Sequence, residues 1–173
     1  MGQKAAGAGC DAVRVDDPLD TFAVCHQCIE AQLATLERLT RGGGGEAVQA
    51  VMRYFDTAAV QHHRDEDEDL FPLLRRLAAE GGRPEVAAVI GDLEREHATM
   101  SLQWSRLRQQ LDALAHGRAR ALDADEVMRF AWLYRRHMEQ EAAAVVPFAK
   151  EALRPDQRAA LGLRMALRRA AAA

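Results

Sequence analysis

Residues 62–72 read HHRDEDEDLFP and residues 137–147 read HMEQEAAAVVP. Each stretch holds His-x3-Glu with a proline ten positions after the His: His62, Glu66 and Pro72 in one, His137, Glu141 and Pro147 in the other. On an α-helix, residues i and i+4 lie one turn apart on the same face, so each stretch aims an imidazole nitrogen and a carboxylate at one point. Each is half of a metal site, and two of the chain's six histidines carry the whole pattern.

The residues around the two stretches are apolar with helical spacing. Asp17-Pro18 predicts a helix entry, after which Phe22, His26, Ile29, Leu33 and Leu36 repeat at intervals of three and four until Gly42 to Gly45 end the helix. From about Glu46 a second stripe runs through Val48, Met52, Phe55, Ala59, His62, Glu66, Leu70, Leu73 and Leu77, with a kink or end expected near Pro72. Pro84 opens a third helix whose seam is Ile90, Leu93, His97, Met100, Trp104, Leu107, Leu111 and Leu114, and Gly117 closes it. Asp123 or Asp125 can cap a fourth, with Val127, Phe130, Tyr134, His137, Glu141, Val145 and Phe148 inward. After Arg154-Pro155, the segment around Leu161, Met165 and Leu167 reads as a shorter fifth helix. No stretch alternates with period two for long enough to suggest a sheet.

Short connections make consecutive helices antiparallel, so the expected fold is all-α: an up-down-up-down four-helix bundle with an extra C-terminal helix. Residues 1–16 are expected to be a flexible N-terminal segment, 17–152 the bundle, and 153–173 a helix packed on the bundle or on a partner. With 173 residues, 49% of them hydrophobic and 28% charged, the chain suits one globular domain. A net charge of -3 offers no general attraction to nucleic acid or anionic lipid. No run of eighteen apolar residues and no signal-peptide hydrophobic segment is present, so a cytoplasmic location is the expectation.

The histidines select the chemistry. His26, His62, His97 and His137 each fall on an inward stripe, one per helix, and Glu66 and Glu141 add two carboxylates. Unpaired carboxylates in an apolar core cost several kcal/mol each or are forced neutral, so six such groups converging there need a common partner, which a metal centre supplies. His63 lies about 100° around the helix from His62, and with its i+4 partner Asp67 it is expected to point away from the stripe. In the acidic run Asp65 to Asp69 only Glu66 is expected to turn inward, and His116 reads as a cation at a helix C-terminus. Glu30, Glu94 and Glu96 lie near the ligands in sequence but lack the helical phase of His26 or His97. Cys25 and Cys28 flank His26 and are either a redox couple or small packed residues; three cysteines do not make a disulfide framework. Tyr134 reads either as a hydrogen-bond donor at the site or as a core aromatic. Met52, Met100, Met128 and Met138 read as core filler.

The order His, His-x3-Glu, His, His-x3-Glu, with Leu70-Phe71-Pro72 after the first pair, resembles the hemerythrin-like, or HHE cation-binding, domain family over about residues 18–150. The resemblance implies a non-haem di-iron centre: two iron ions held by His26, His62, His97 and His137, bridged by Glu66, Glu141 and an oxo or hydroxo group. Spacing alone does not select iron, since imidazole and carboxylate also suit zinc and manganese. Oxygen-carrying hemerythrins have a further His four residues after the one on the third helix, where this chain has Ser101. Fewer protein ligands leave more positions for O2, peroxide or NO, which favours sensing or redox chemistry over protected O2 carriage.

Three functions are therefore distinguished. The favoured one is a small di-iron protein that binds, senses or reacts with O2, peroxide or NO, with a homodimer or a separate signalling partner as its output. The second is an enzyme on the same site, peroxidase- or oxidase-like or an iron donor in iron-sulfur repair. The third is a metal-free helical interaction module.

Overall fold

The computed structural model describes residues 17–171, and all regular structure among them is helical. The expected flexible segment 1–16 and Cys10 lie outside the described residues. The elements are α1 (Pro18–Leu39), α2 (Glu46–Asp56), α3 (Ala58–Arg64), a π-helical turn (Asp65–Leu70), α4 (Phe71–Glu80), α5 (Pro84–Ala115), α6 (Ala124–Gln140), a second π-helical turn (Glu141–Val145), α7 (Val146–Ala152) and α8 (Pro155–Ala171).

The boundary signals act as their chemistry requires. Pro18 is the first residue of α1, and the Asp17 carboxylate accepts the Leu19 N–H, satisfying a donor that has no partner within the helix. Pro84 and Pro155 likewise open α5 and α8. Of the two candidate caps on α6, Asp123 is the one used, accepting from the Glu126 N–H. The α1–α2 connection needs glycine, because Gly42, Gly43 and Gly45 have φ of 100°, 119° and 67°.

The second stripe is not one helix with a kink at Pro72. It breaks first at Thr57 (φ −129°, ψ −75°) and then widens into the π-turn at Asp65–Leu70. The proline explains the second feature. Pro72 has no N–H to donate, and its ring would meet the carbonyl four residues back in a regular α-helix. In the π-turn the Phe71 N–H instead reaches the Glu66 carbonyl, five residues back, and Pro72 becomes the second residue of α4. The same device recurs on the other side of the core: the Val146 N–H reaches the Glu141 carbonyl and Pro147 is the second residue of α7. The proline ten residues after each His is thus tied to a π-turn that begins at, or next to, the glutamate.

The inward stripes are buried nearly as expected, and they form two apolar clusters. One joins Ile29, Leu33, Leu36, Val48, Phe55, Leu107, Leu111 and Phe130 with their neighbours. The other joins Phe22, Phe71, Leu74, Ile90, Leu93, Val145 and Phe148 with Leu161 and Met165 of α8. On α1, α5 and the α6–α7 segment the polar inward residues fall between members of the two clusters. Between them lies a layer of histidine and glutamate. Met128, expected in the core, is 65% exposed, and Leu167, grouped with Leu161 and Met165, is 60% exposed.

Helix α8 packs on α1 and on the first π-turn. Besides Leu161 and Met165, it is held by charge. Arg168 reaches Asp65 at 2.5 Å and Asp69 at 2.5 Å, Arg169 reaches Asp65 at 2.6 Å, and Arg164 reaches Asp69 at 2.7 Å. Asp65 and Asp69 are therefore not part of a solvated face; both are buried beneath the last helix. Burial raises the Asp65 pKa, and the two arginines oppose that shift.

Candidate metal centre

The structure brings His26, His62, Glu66, His97, His137 and Glu141 into one cluster. Donor atoms of His26, His62, Glu66 and Glu141 all lie within 4.8 Å of one another, and so do those of Glu66, His97 and His137. Glu66 belongs to both sets. Its Oε1 is 3.1 Å from His62 Nε2 and its Oε2 3.3 Å from His97 Nε2, so the two oxygens face different halves of the cluster. Glu141 Oε2 is 3.0 Å from His26 Nε2 and 3.7 Å from His137 Nε2. All six are buried apart from His26, whose side chain is 17% exposed.

Close approach here is not hydrogen bonding. His26 Nε2, both nitrogens of His62, both carboxylate oxygens of Glu66 and Glu141 Oε2 are buried with no hydrogen-bond partner. Buried polar groups are nearly always paired, so orphaned atoms converging on one volume indicate a partner of another kind. A cation bonded to nitrogen and oxygen at about 2.0–2.2 Å spaces adjacent donors about 3 Å apart, which is the spacing seen. The donor set fits a first-row transition metal: imidazoles and carboxylates, with no thiolate among them.

Electrostatics agree. Burial, and then the neighbouring Glu141 carboxylate, push Glu66 well above the usual carboxylate range. Burial acts on Glu141 in the same direction, but His26 and His137 outweigh it and its net shift is downward. Burial, reinforced by neighbouring imidazoles, holds His62 and His63 well below the usual histidine range, and burial also lowers His137. Lowered in this way, His62, His63 and His137 favour the neutral form with a lone pair available, and ionising both glutamates at this depth requires positive charge between them.

A second layer of carboxylates aims two of the imidazoles. Asp67 Oδ1 is 2.8 Å from His97 Nδ1, and Glu96 Oε2 is 3.0 Å from His137 Nδ1, with Arg136 holding the other oxygen of Glu96. A carboxylate at Nδ1 keeps the proton there and leaves Nε2 as an acceptor. The two Nε2 atoms, of His97 and His137, then face each other at 3.0 Å, two lone pairs opposed unless a cation lies on them. Neither carboxylate was expected in this role. Asp67 was expected to face outward, but the π-turn re-phases the acidic run; Glu96 lacks the phase of His97 on its own helix and acts on the histidine of α6 instead.

His63 also departs from expectation. Its ring stacks on His97 with centroids 4.0 Å apart and planes 14° apart, and it lies 5.6 Å from Tyr134 and 6.2 Å from His137. His62 leans the other way, 5.1 Å from His26 and 5.7 Å from Phe22. Neighbouring helices cover α3 on both flanks, so two imidazoles about 100° apart can both face the interior.

The remaining candidates resolve simply. The Ser101 hydroxyl donates to the His97 carbonyl at 3.0 Å and adds no metal donor. Cys25 is a free thiol, so no bridge joins it to Cys28, and burial pushes its pKa up to about 11, which keeps it protonated. Tyr134 packs among Phe55, Phe130 and His63 in the core. Trp104 stacks near Phe55 while its indole N–H donates to Asp56 at 2.9 Å. His116 is exposed, its Nδ1 2.8 Å from the Asp112 carbonyl at the end of α5. Glu30 pairs with Arg135 and Glu94 with Arg75, both away from the cluster.

An all-helical domain with a buried, repeated histidine–carboxylate layer defines a class of helical cation-binding proteins. Residues 17–149 match the family model of the hemerythrin HHE cation-binding domain, and the chain belongs to that family. It is also similar to a protein of Haemophilus influenzae described only as uncharacterized, with 29% identity over 162 residues that span 89% of this chain and 91% of the relative. Among the described residues no helix is long and apolar enough to cross a membrane.

Proposed function

We propose that the chain is a di-iron protein of the antiparallel four-helix type that binds a small ligand of the O2, peroxide or NO class. His26 and His62 would serve one ion, His97 and His137 the other, and Glu66 and Glu141 would be shared. The observation that carries this reading is the division of Glu66, one oxygen toward His62 and the other toward His97. Bound iron supplies a redox-active Lewis acid with room for a small exogenous ligand. The rest is the protein's work: Asp67 and Glu96 orient two imidazoles, and the flanking aromatics Phe71, Phe22 and Tyr134 limit water. Glu141 Oε2 lies closer to His26 Nε2 (3.0 Å) than to His137 Nε2 (3.7 Å), so three donors converge tightly on the His97/His137 half against four on the other, and that half is where an exogenous ligand is expected to bind.

Anaerobic titration of iron-loaded protein with NO, followed by absorbance, tests this. Saturable binding near one NO per chain is expected, with no such signal in His62→Ala, which lacks a donor from the other half and fails to load fully. Iron-loaded protein that binds no NO contradicts the reading. Steady peroxide consumption with an added reductant, beyond one stoichiometric oxidation, assigns the same site to an enzyme instead.

A further inference from the structure

His63 is the one imidazole of the interior cluster that the two converging donor sets leave out. Its ring lies flat against His97 and within 6.2 Å of His137, beside the donor-poor half. Its Nε2 is buried and has no hydrogen-bond partner. The other ring nitrogens on that side are accounted for: His97 Nδ1 by Asp67, His137 Nδ1 by Glu96, and the two Nε2 atoms by their convergence with glutamate oxygens on the proposed metal position. Ser101, the residue on α5 one turn beyond His97, spends its hydroxyl on a backbone carbonyl. Apart from the converging donors themselves, His63 therefore brings to this half a buried polar atom with no hydrogen-bond partner. Such an atom is costly to leave unpaired, and its retention indicates a partner that arrives with the ligand.

From this position and this orphaned nitrogen we infer that His63 donates a hydrogen bond from Nε2 to an exogenous ligand held at the His97/His137 half, and is not itself a metal ligand. The inference rests on the di-iron reading. An imidazole N–H placed in a buried site, already oriented by its stack on His97, stabilises negative charge on a ligand without reorganising when the ligand binds. It would favour anionic or strongly polarised ligands and determine which of them stay bound.

The test uses sodium azide as the probe, on iron-loaded wild type, His63→Phe and His63→Gln. His63→Phe keeps a flat ring against His97 but removes the donor, and His63→Gln keeps an N–H donor of similar reach. Each protein is first analysed for iron, then titrated with azide by absorbance. Its bound-azide infrared band is compared in H2O and D2O, a readout that a purely structural role would not move. All three are expected to hold the same iron. His63→Phe should bind azide roughly tenfold more weakly, the scale of one lost hydrogen bond, and lose the D2O shift, while His63→Gln recovers most of both. Unchanged azide affinity and an unchanged D2O shift in iron-loaded His63→Phe overturn the inference and leave the di-iron reading intact. Loss of iron from His63→Gln also overturns it, by making His63 a metal ligand. Wild type that binds no iron removes the di-iron reading, and this inference with it.

Discussion

Glu66→Ala is expected to empty the paired centre while the helices remain. Glu66 is fully buried, its oxygens approach imidazoles in both halves, and its removal takes a donor from each at once. Iron should fall from two ions per chain to well under one, by metal analysis of protein loaded under identical conditions. Far-UV circular dichroism should change little. The stability of the chelated protein should hold or rise, because burial alone disfavours this carboxylate and an uncompensated buried acid is destabilising. A variant that keeps both ions would remove Glu66 from the shared position. A variant that unfolds would mean the carboxylate supports the helices in its own right.

The second large effect lies outside the metal centre. Arg168→Ala should destabilise the protein by about 3 kcal/mol, near the low end of the range for removing one member of a buried ion pair. The side chain is 12% exposed and bridges Asp65 and Asp69, both buried on the π-turn that carries Glu66. The cost stays at that end because Asp65 keeps Arg169 and Asp69 keeps Arg164. For a chain of this size that corresponds to a fall in melting temperature of roughly 6–12 °C. Arg164→Ala, with its side chain 48% exposed, should cost under about 1 kcal/mol. Urea unfolding of the two variants side by side checks the contrast. Equal and small effects would mean that α8 is held by Leu161 and Met165 alone.

The apolar stripes were legible because periodicity reports the phase of a residue on its own helix. Phe22, Ile29, Leu93, Leu111 and Phe130 all lie where their spacing placed them. That His26, His62, Glu66, His97, His137 and Glu141 lie together in the interior was legible for the same reason. What periodicity does not carry is the reach of a side chain to another helix. Glu96 has the wrong phase beside His97 yet aims His137 on α6, and His63 lies off the stripe of His62 yet stacks on His97 of α5. The acidic run misled in a second way, since a block of carboxylates is ordinarily solvated. A signal was nonetheless present: Asp65 and Asp69 are four apart, as are Arg164 and Arg168, and two such ladders of opposite sign can dock. Pro72 was read as a kink or end of its helix, and the recurrence of proline at the same distance from each His instead accompanies the π-turns.

The metal content of the purified chain tests the di-iron reading most directly. Protein made in iron-replete cells and purified without chelators is expected to carry two iron ions per chain, shared through Glu66 and Glu141. About one zinc and no iron per chain would contradict it.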